Sequence, residues 1–103
     1  MNEIILNKKI SIERCIKQIR DYYALPSETP FESDYLKQDA IGINLQRISE
    51  LTIDIANHLI KKKKLGLPQD SGDAFVLLQR AGLITHEMVI KMKGMVGFRN
   101  VLV

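Results

Sequence analysis

The sequence predicts an all-α protein with three longer helices and one short one. Three observations carry that reading. Apolar residues recur at spacings of three, four and seven over segments of roughly twenty residues or more, the signature of amphipathic helices. No stretch alternates apolar and polar residues for long enough to make a strand, and no hairpin turn signal is present. The prolines, Pro26, Pro30 and Pro68, fall between the periodic segments, where proline is tolerated.

The first helix is expected from about Asn2 to Leu25. Ile5, Ile12 and Ile19 repeat every seven residues, as do Ile16 and Tyr23, and Cys15 and Tyr22 widen the same face. The segment PSETPFES reads as a loop, with Ser33 or Asp34 as cap for the next helix. That helix, about Tyr35 to Lys64, is the longest. One apolar stripe holds Leu36, Ala40, Ile43, Leu51 and Ile55, and a second holds Ile41, Leu45, Ile48, Ile55, Ala56 and Leu59. A helix that is apolar on two faces is expected to bury both, centrally in a bundle or against another subunit. Its polar stripe runs through Arg47, Glu50, Asp54, Asn57 or His58, and Lys61.

LGLPQDSG is a second loop, ending in the cap candidates Asp70 and Ser71. A short helix follows over about Gly72 to Ala81, with Phe75, Leu77 and Leu78 facing inward. Gly82 suits the left-handed residue after a helix, with Leu83 packing back onto it. Thr85 caps the last helix and Glu87 sits in its first turn, where a negative charge favours the helix dipole. Met88, Met92, Met95 and Val96 are its expected buried face. Gly94 and Gly97 lower its propensity, by about 1 kcal/mol each relative to alanine, and leave room for close approach of another helix or a substrate backbone.

The 103 residues suffice for one domain with a modest core, and their 46% hydrophobic content can fill it. A net charge of +3 permits a polyanionic partner without demanding one. The single cysteine, Cys15, excludes an internal disulfide and a cysteine-based metal cluster. The start MNEIILNKK lacks a secretory signal, and no apolar run reaches membrane-spanning length, so a cytoplasmic protein is expected.

Most chemistry-bearing residues have a plain structural explanation. Lys61 to Lys64 end a helix, where cations interact favourably with its dipole, and a phosphate-contact role comes second. His58 and His86 lie on different helices without metal-ligand spacing. No phosphate loop, nucleophile elbow or cofactor motif is present. Arg47, Glu50, Asp54 and Asn57 read as a solvated helix face unless Arg99 is directed at them. Arg99 lies three residues after Val96, at the edge of the inward face, and needs a partner or a cleft.

The segments NLQRISELTIDIANHLI, LGLPQDSGDAFVLLQRAGLI and GMVGFRNVLV resemble the HepT-like ribonuclease toxins of the HEPN superfamily. The likeness covers about Asp39 to Val103, and the first helix matches only in its pattern. The resemblance implies an antiparallel helical bundle, a homodimer, and a metal-independent endoribonuclease without cofactor. It implies a partner too: a minimal nucleotidyltransferase antitoxin that adds AMP to a tyrosine in the motif. The family signature is an Arg, a polar residue, a short spacer and a His, with the tyrosine two residues later. Arg99 and Asn100 match its first half, and Val101, Leu102 and Val103 its spacer. The histidine would be the next residue, so the sequence reads as a domain lacking its C-terminal part, and this 103-residue form is expected to be inactive or nearly so. Tyr22, Tyr23 and Tyr35 are outside the motif.

By that resemblance the two arginines approach across the dimer in one composite cleft. Arginine's planar fork stabilises charge growing on the phosphorane, histidine supplies the acid and base, and the RNA 2′-hydroxyl is the nucleophile. Asn100 orients the ring or the phosphate, and Arg47, Glu50, Asp54 and Asn57 are the expected cleft lining. The alternative is a non-catalytic HEPN-type interaction module, in which Arg99 is an interfacial ion-pair residue.

Overall fold

The computed structural model describes residues 2–102, except the side chains at 99, 101 and 102. Four helices follow one another: α1 (Glu3–Ala24), α2 (Tyr35–Lys63), α3 (Ser71–Arg80) and α4 (His86–Leu102), with a short 3₁₀ turn at Phe31–Ser33. No strand occurs among the described residues, so the all-α expectation holds. The helix limits fall within a residue or two of those read from the sequence. The chain divides into two compact units, Met1–Leu51 and Thr52–Val103, and α2 contributes to both.

Every helix begins on a side-chain cap. Asn2 Oδ1 accepts from Ile4 N at 2.8 Å. Of the two candidates before α2, Asp34 is the cap: its Oδ1 accepts from Lys37 N at 3.0 Å. Asp70 Oδ1 accepts from Asp73 N at 2.7 Å, and Thr85 Oγ1 from Met88 N at 3.1 Å. Each bond satisfies an amide that has no partner inside its helix.

In the first unit, Cys15 is buried on α1, and Ile5, Ile12 and Ile19 are half-buried beside it in register. The other half of the predicted face is not covered: Ile16, Tyr22 and Tyr23 are exposed. Leu36 and Ile43 of α2 are exposed as well, so within one chain this apolar stripe of α2 is only partly covered, which leaves the expected alternative of burial against another subunit open. The physical reason is geometric, since the two stripes diverge around the helix and a neighbour on one side leaves the other open.

The link from α1 to α2 is tightly bonded. Ser27 Oγ donates to Asp34 Oδ2 at 2.7 Å. Lys37 Nζ donates to Leu25 O at 2.7 Å, placing a cation at the carbonyl end of α1. Gln38 Nε2 donates to Phe31 O at 2.7 Å, and the Phe31 ring lies 5.6 Å from that of Tyr23.

The second unit holds the main core: Ala56 and Ile60 of α2, Ala74, Phe75 and Leu78 of α3, and Val89 of α4. Phe75 is its largest fully buried side chain. Val89, not Met88, is the inward residue at the start of α4. Met88 is 39% exposed, and Met92, Met95 and Val96 are half-buried. One residue rotates a helix by about 100°, so seating Val89 turns Met88 outward.

α2 and α3 stop in the same way. Gly82 has φ 77°, with Gly82 N donating to Gln79 O and Leu83 N to Leu78 O. Lys64 has φ 54°, with Lys64 N donating to Lys61 O and Leu65 N to Ile60 O. Both are Schellman terminations, the second with lysine where glycine is usual. Leu65 packs against the core after its reversal, whereas Leu83 remains 43% exposed, less packed than expected.

Candidate functional site

Arg99 and Asn100 lie near the end of α4. Asn100 is exposed, and its amide is open to a ligand or a second chain. The side chain of Arg99 lies outside the described residues, so the expectation that it points toward the polar stripe of α2 lies outside them too. Around this motif α4 is open. A Cβ built on Gly94 or Gly97 meets nothing within 4 Å, and Phe98 is 46% exposed.

The polar residues of α2 fall in different units. Arg47 and Glu50 are exposed in the first, and Glu50 Oε1 accepts from Gln46 Nε2 at 3.5 Å. Asp54 and Asn57 are exposed in the second. All four present amide, carboxylate or guanidinium groups to solvent, as a solvated face or a cleft wall requires.

The histidines differ. His86 is exposed, with Nδ1 3.4 Å from Gln79 Oε1. His58 is half-buried, and its buried Nε2 has no hydrogen-bond partner among the described residues. Asn44 Oδ1 and Ser49 Oγ share that condition. Periodicity alone had no way to mark these three, because a polar residue on a helix reads as solvated until the packing is known. No three His, Cys, Asp or Glu side chains converge as a metal site among the described residues. No helix is long and apolar enough to cross a membrane, again among those residues. Lys61 to Lys64 are exposed at the end of α2.

Two apolar hollows were not anticipated from the sequence. One, of about 230 Å³, lies in the second unit between Ile55 and Leu59 of α2, Phe75 of α3, and Met88 and Met92 of α4. The other, of about 410 Å³, lies in the first unit at the α1–α2 link, lined by Tyr22, Leu25, Pro26, Leu36 and Ala40 with Asp34 and Lys37.

Comparison with known proteins gives a consistent result. Residues 12–103 match the family model described as ribonuclease HepT-like. The chain is 47% identical over 103 residues to an mRNA nuclease HepT of Shewanella oneidensis, covering all of this chain and 76% of the relative. Among solved structures, it resembles a tri-AMPylated Shewanella oneidensis HEPN toxin in complex with an MNT antitoxin. The TM-score is 0.93 at 47% identity, covering 100% of this chain and 76% of that one. A toxin–antitoxin crystal structure with AMP-PNP matches at a TM-score of 0.91 and 44% identity, covering 98% and 75% of the two chains. With a family model spanning most of its length and a relative at nearly half identity throughout, this chain belongs to the HepT-like ribonuclease family of HEPN toxins.

Proposed function

We propose that this protein is the toxin of a cytoplasmic toxin–antitoxin pair and cleaves RNA as a homodimer, without a metal, using Arg99 and Asn100. The observation that carries the reading is the match of residues 12–103 to the ribonuclease model, together with a relative described as an mRNA nuclease. The chemistry follows from the residue types. A guanidinium offers two parallel N–H donors to the non-bridging oxygens of a phosphodiester, and this pairing strengthens as charge accumulates in the transition state. The Asn100 amide, exposed one residue further on, offers a neutral donor for orientation. Asp54 and Asn57 of the second unit, and Arg47 and Glu50 of the first, are the proposed lining residues.

A homodimer is supported by what one chain leaves uncovered: Ile43 on α2, and Ile90 and Phe98 on α4, are large, apolar and exposed. The proposed partner is a minimal nucleotidyltransferase antitoxin, as in the solved complex of the Shewanella toxin with its MNT antitoxin.

The test incubates labelled RNA, in the presence of EDTA, with the 103-residue chain, expected to be inactive or nearly so, and with a version extended through the histidine of the motif. Cleavage leaving 2′,3′-cyclic phosphate ends is expected of the extended version. Arg99→Ala is expected to slow it by about a hundredfold or more, the usual scale for losing a donor to a developing oxyanion. Normal folding with intact RNA in the extended, otherwise unmutated protein overturns the enzyme reading. Unchanged cleavage by Arg99→Ala overturns the site.

A further inference from the structure

The α1–α2 link has more structure than a connection needs. Tyr23, Leu25, Tyr35 and Leu36 are 65%, 54%, 72% and 83% exposed, within fourteen residues of one another. Leu25 and Leu36 line the hollow of about 410 Å³, and Tyr23 and Tyr35 are their near neighbours in sequence. The hollow is held in shape by the bonds from Ser27 to Asp34, Lys37 to Leu25 and Gln38 to Phe31, each 2.7 Å. A concave apolar surface fixed in advance costs little further ordering when it is occupied.

Its charge narrows the choice of occupant. From Asp21 to Asp39 the chain carries five carboxylates and one cation, Lys37, while the whole chain carries a net charge of +3. Lys37 is engaged by the carbonyl of Leu25, and Asp21 by Lys17 at 2.7 Å. Glu28, Glu32 and Asp39 remain as exposed carboxylates in or beside the same link. Such a surface repels phosphates, so a nucleic acid is disfavoured, and it attracts a polypeptide that joins lysines to an apolar anchor.

One segment of this protein has that chemistry. Lys61 to Lys64 are exposed, and three residues beyond them Leu67 is 88% exposed, the most exposed large apolar side chain among the described residues. The left-handed turn at Lys64 returns Leu65 to the core of its own chain, and Leu67 stays outside. We propose that the acidic, apolar α1–α2 link of one copy receives the Lys61–Leu67 segment of a second copy, with Leu67 in the hollow and the lysines facing Glu28, Glu32 and Asp39. This contact between copies depends neither on RNA cleavage nor on an antitoxin.

Cross-linking of intact chains tests it. One preparation carries Leu36→Cys and another Leu67→Cys; both positions are more than four-fifths exposed, so folding is undisturbed, and the native Cys15 is buried. Because the two cysteines are on separate chains, any disulfide between them joins two copies. Mixed under mild oxidant, the pair is expected to cross-link at least about fivefold faster than a control pair of Leu36→Cys with Lys91→Cys. Adding Glu32→Lys and Asp39→Lys to the Leu36→Cys chain, or raising salt from about 50 to about 500 mM, is expected to bring the rate toward the control. The same rates are expected in an Arg99→Ala background, so failure of the nuclease reading leaves this result intact. A mixed pair no faster than the control overturns the proposal and leaves the hollow to a segment of a different protein. A rate unaffected by charge reversal overturns the electrostatic half of the argument.

Discussion

At the scale of single residues, the hydrogen bonds around Asp34 are the most informative. Its carboxyl is held below the usual value of 3.8, first by the Ser27 hydroxyl and then by the Lys37 amide, since both bonds favour the charged form. A group whose pKa is depressed on folding contributes stability at pH above its unfolded value, and that contribution disappears as pH falls through the folded value. The structured link is therefore expected to loosen on acidification below about pH 4. Ser27→Ala is expected to raise the Asp34 pKa toward its ordinary value, which NMR titration of the carboxyl reads directly. An unmoved titration contradicts the assignment of Ser27 as the leading cause. This residue was legible in part. As a cap candidate it could be read from its place before a periodic segment, but its bond to Ser27 depends on how the loop closes.

At the scale of elements, the helix limits were legible because their caps are written in the sequence. Asp34, Asp70 and Thr85 are cap candidates by their place before an apolar period, and each caps its helix; Asn2, not singled out as a cap, does the same for α1. The rotation of α4 was less legible. Met88, Val89, Met92, Met95 and Val96 are all apolar, and glycines at 94 and 97 remove side chains that would have marked a face. Packing on α3 then selected Val89. The glycines of the two kinds of site are expected to respond oppositely to alanine. Gly94→Ala adds a Cβ in open space within a helix and is expected to stabilise by up to about 1 kcal/mol. Gly82→Ala meets no atom either, but it places a side chain at φ 77° and is expected to cost about 1 kcal/mol or more. Thermal melts of the two variants check the signs.

At the scale of the molecule, one buried cluster anchors the second unit, with Phe75 at 2% exposure as its largest side chain. Phe75→Ala removes that ring and leaves a cavity, so a loss of about 3–5 kcal/mol in denaturant unfolding is expected. That loss is a large share of the roughly 5–15 kcal/mol typical of a domain. The all-α class and the family were both legible, the first from periodicity and the second from the segments ending in GFRNVLV. The candidate site was legible only through the family: no spacing rule distinguishes Arg99 and Asn100 from any polar pair at a helix edge. Nor does periodicity say which stripe of α2 stays uncovered, because that depends on the number of neighbours and not on the helix itself. The exposed Leu36 and Ile43 show that a two-sided pattern need not be covered on both sides by its own chain.

The two Schellman turns differ in the residue at the left-handed position, and that difference has a consequence. Placing a lysine where the backbone adopts φ 54° gives up stability that glycine would supply at no steric expense. A chain shaped by thermal robustness alone would close α2 as it closes α3. Keeping an ammonium at that corner means this protein ranks electric charge above conformational ease there, so thermostabilising redesign that installs glycine at position 64 trades away whatever the fourth lysine is for.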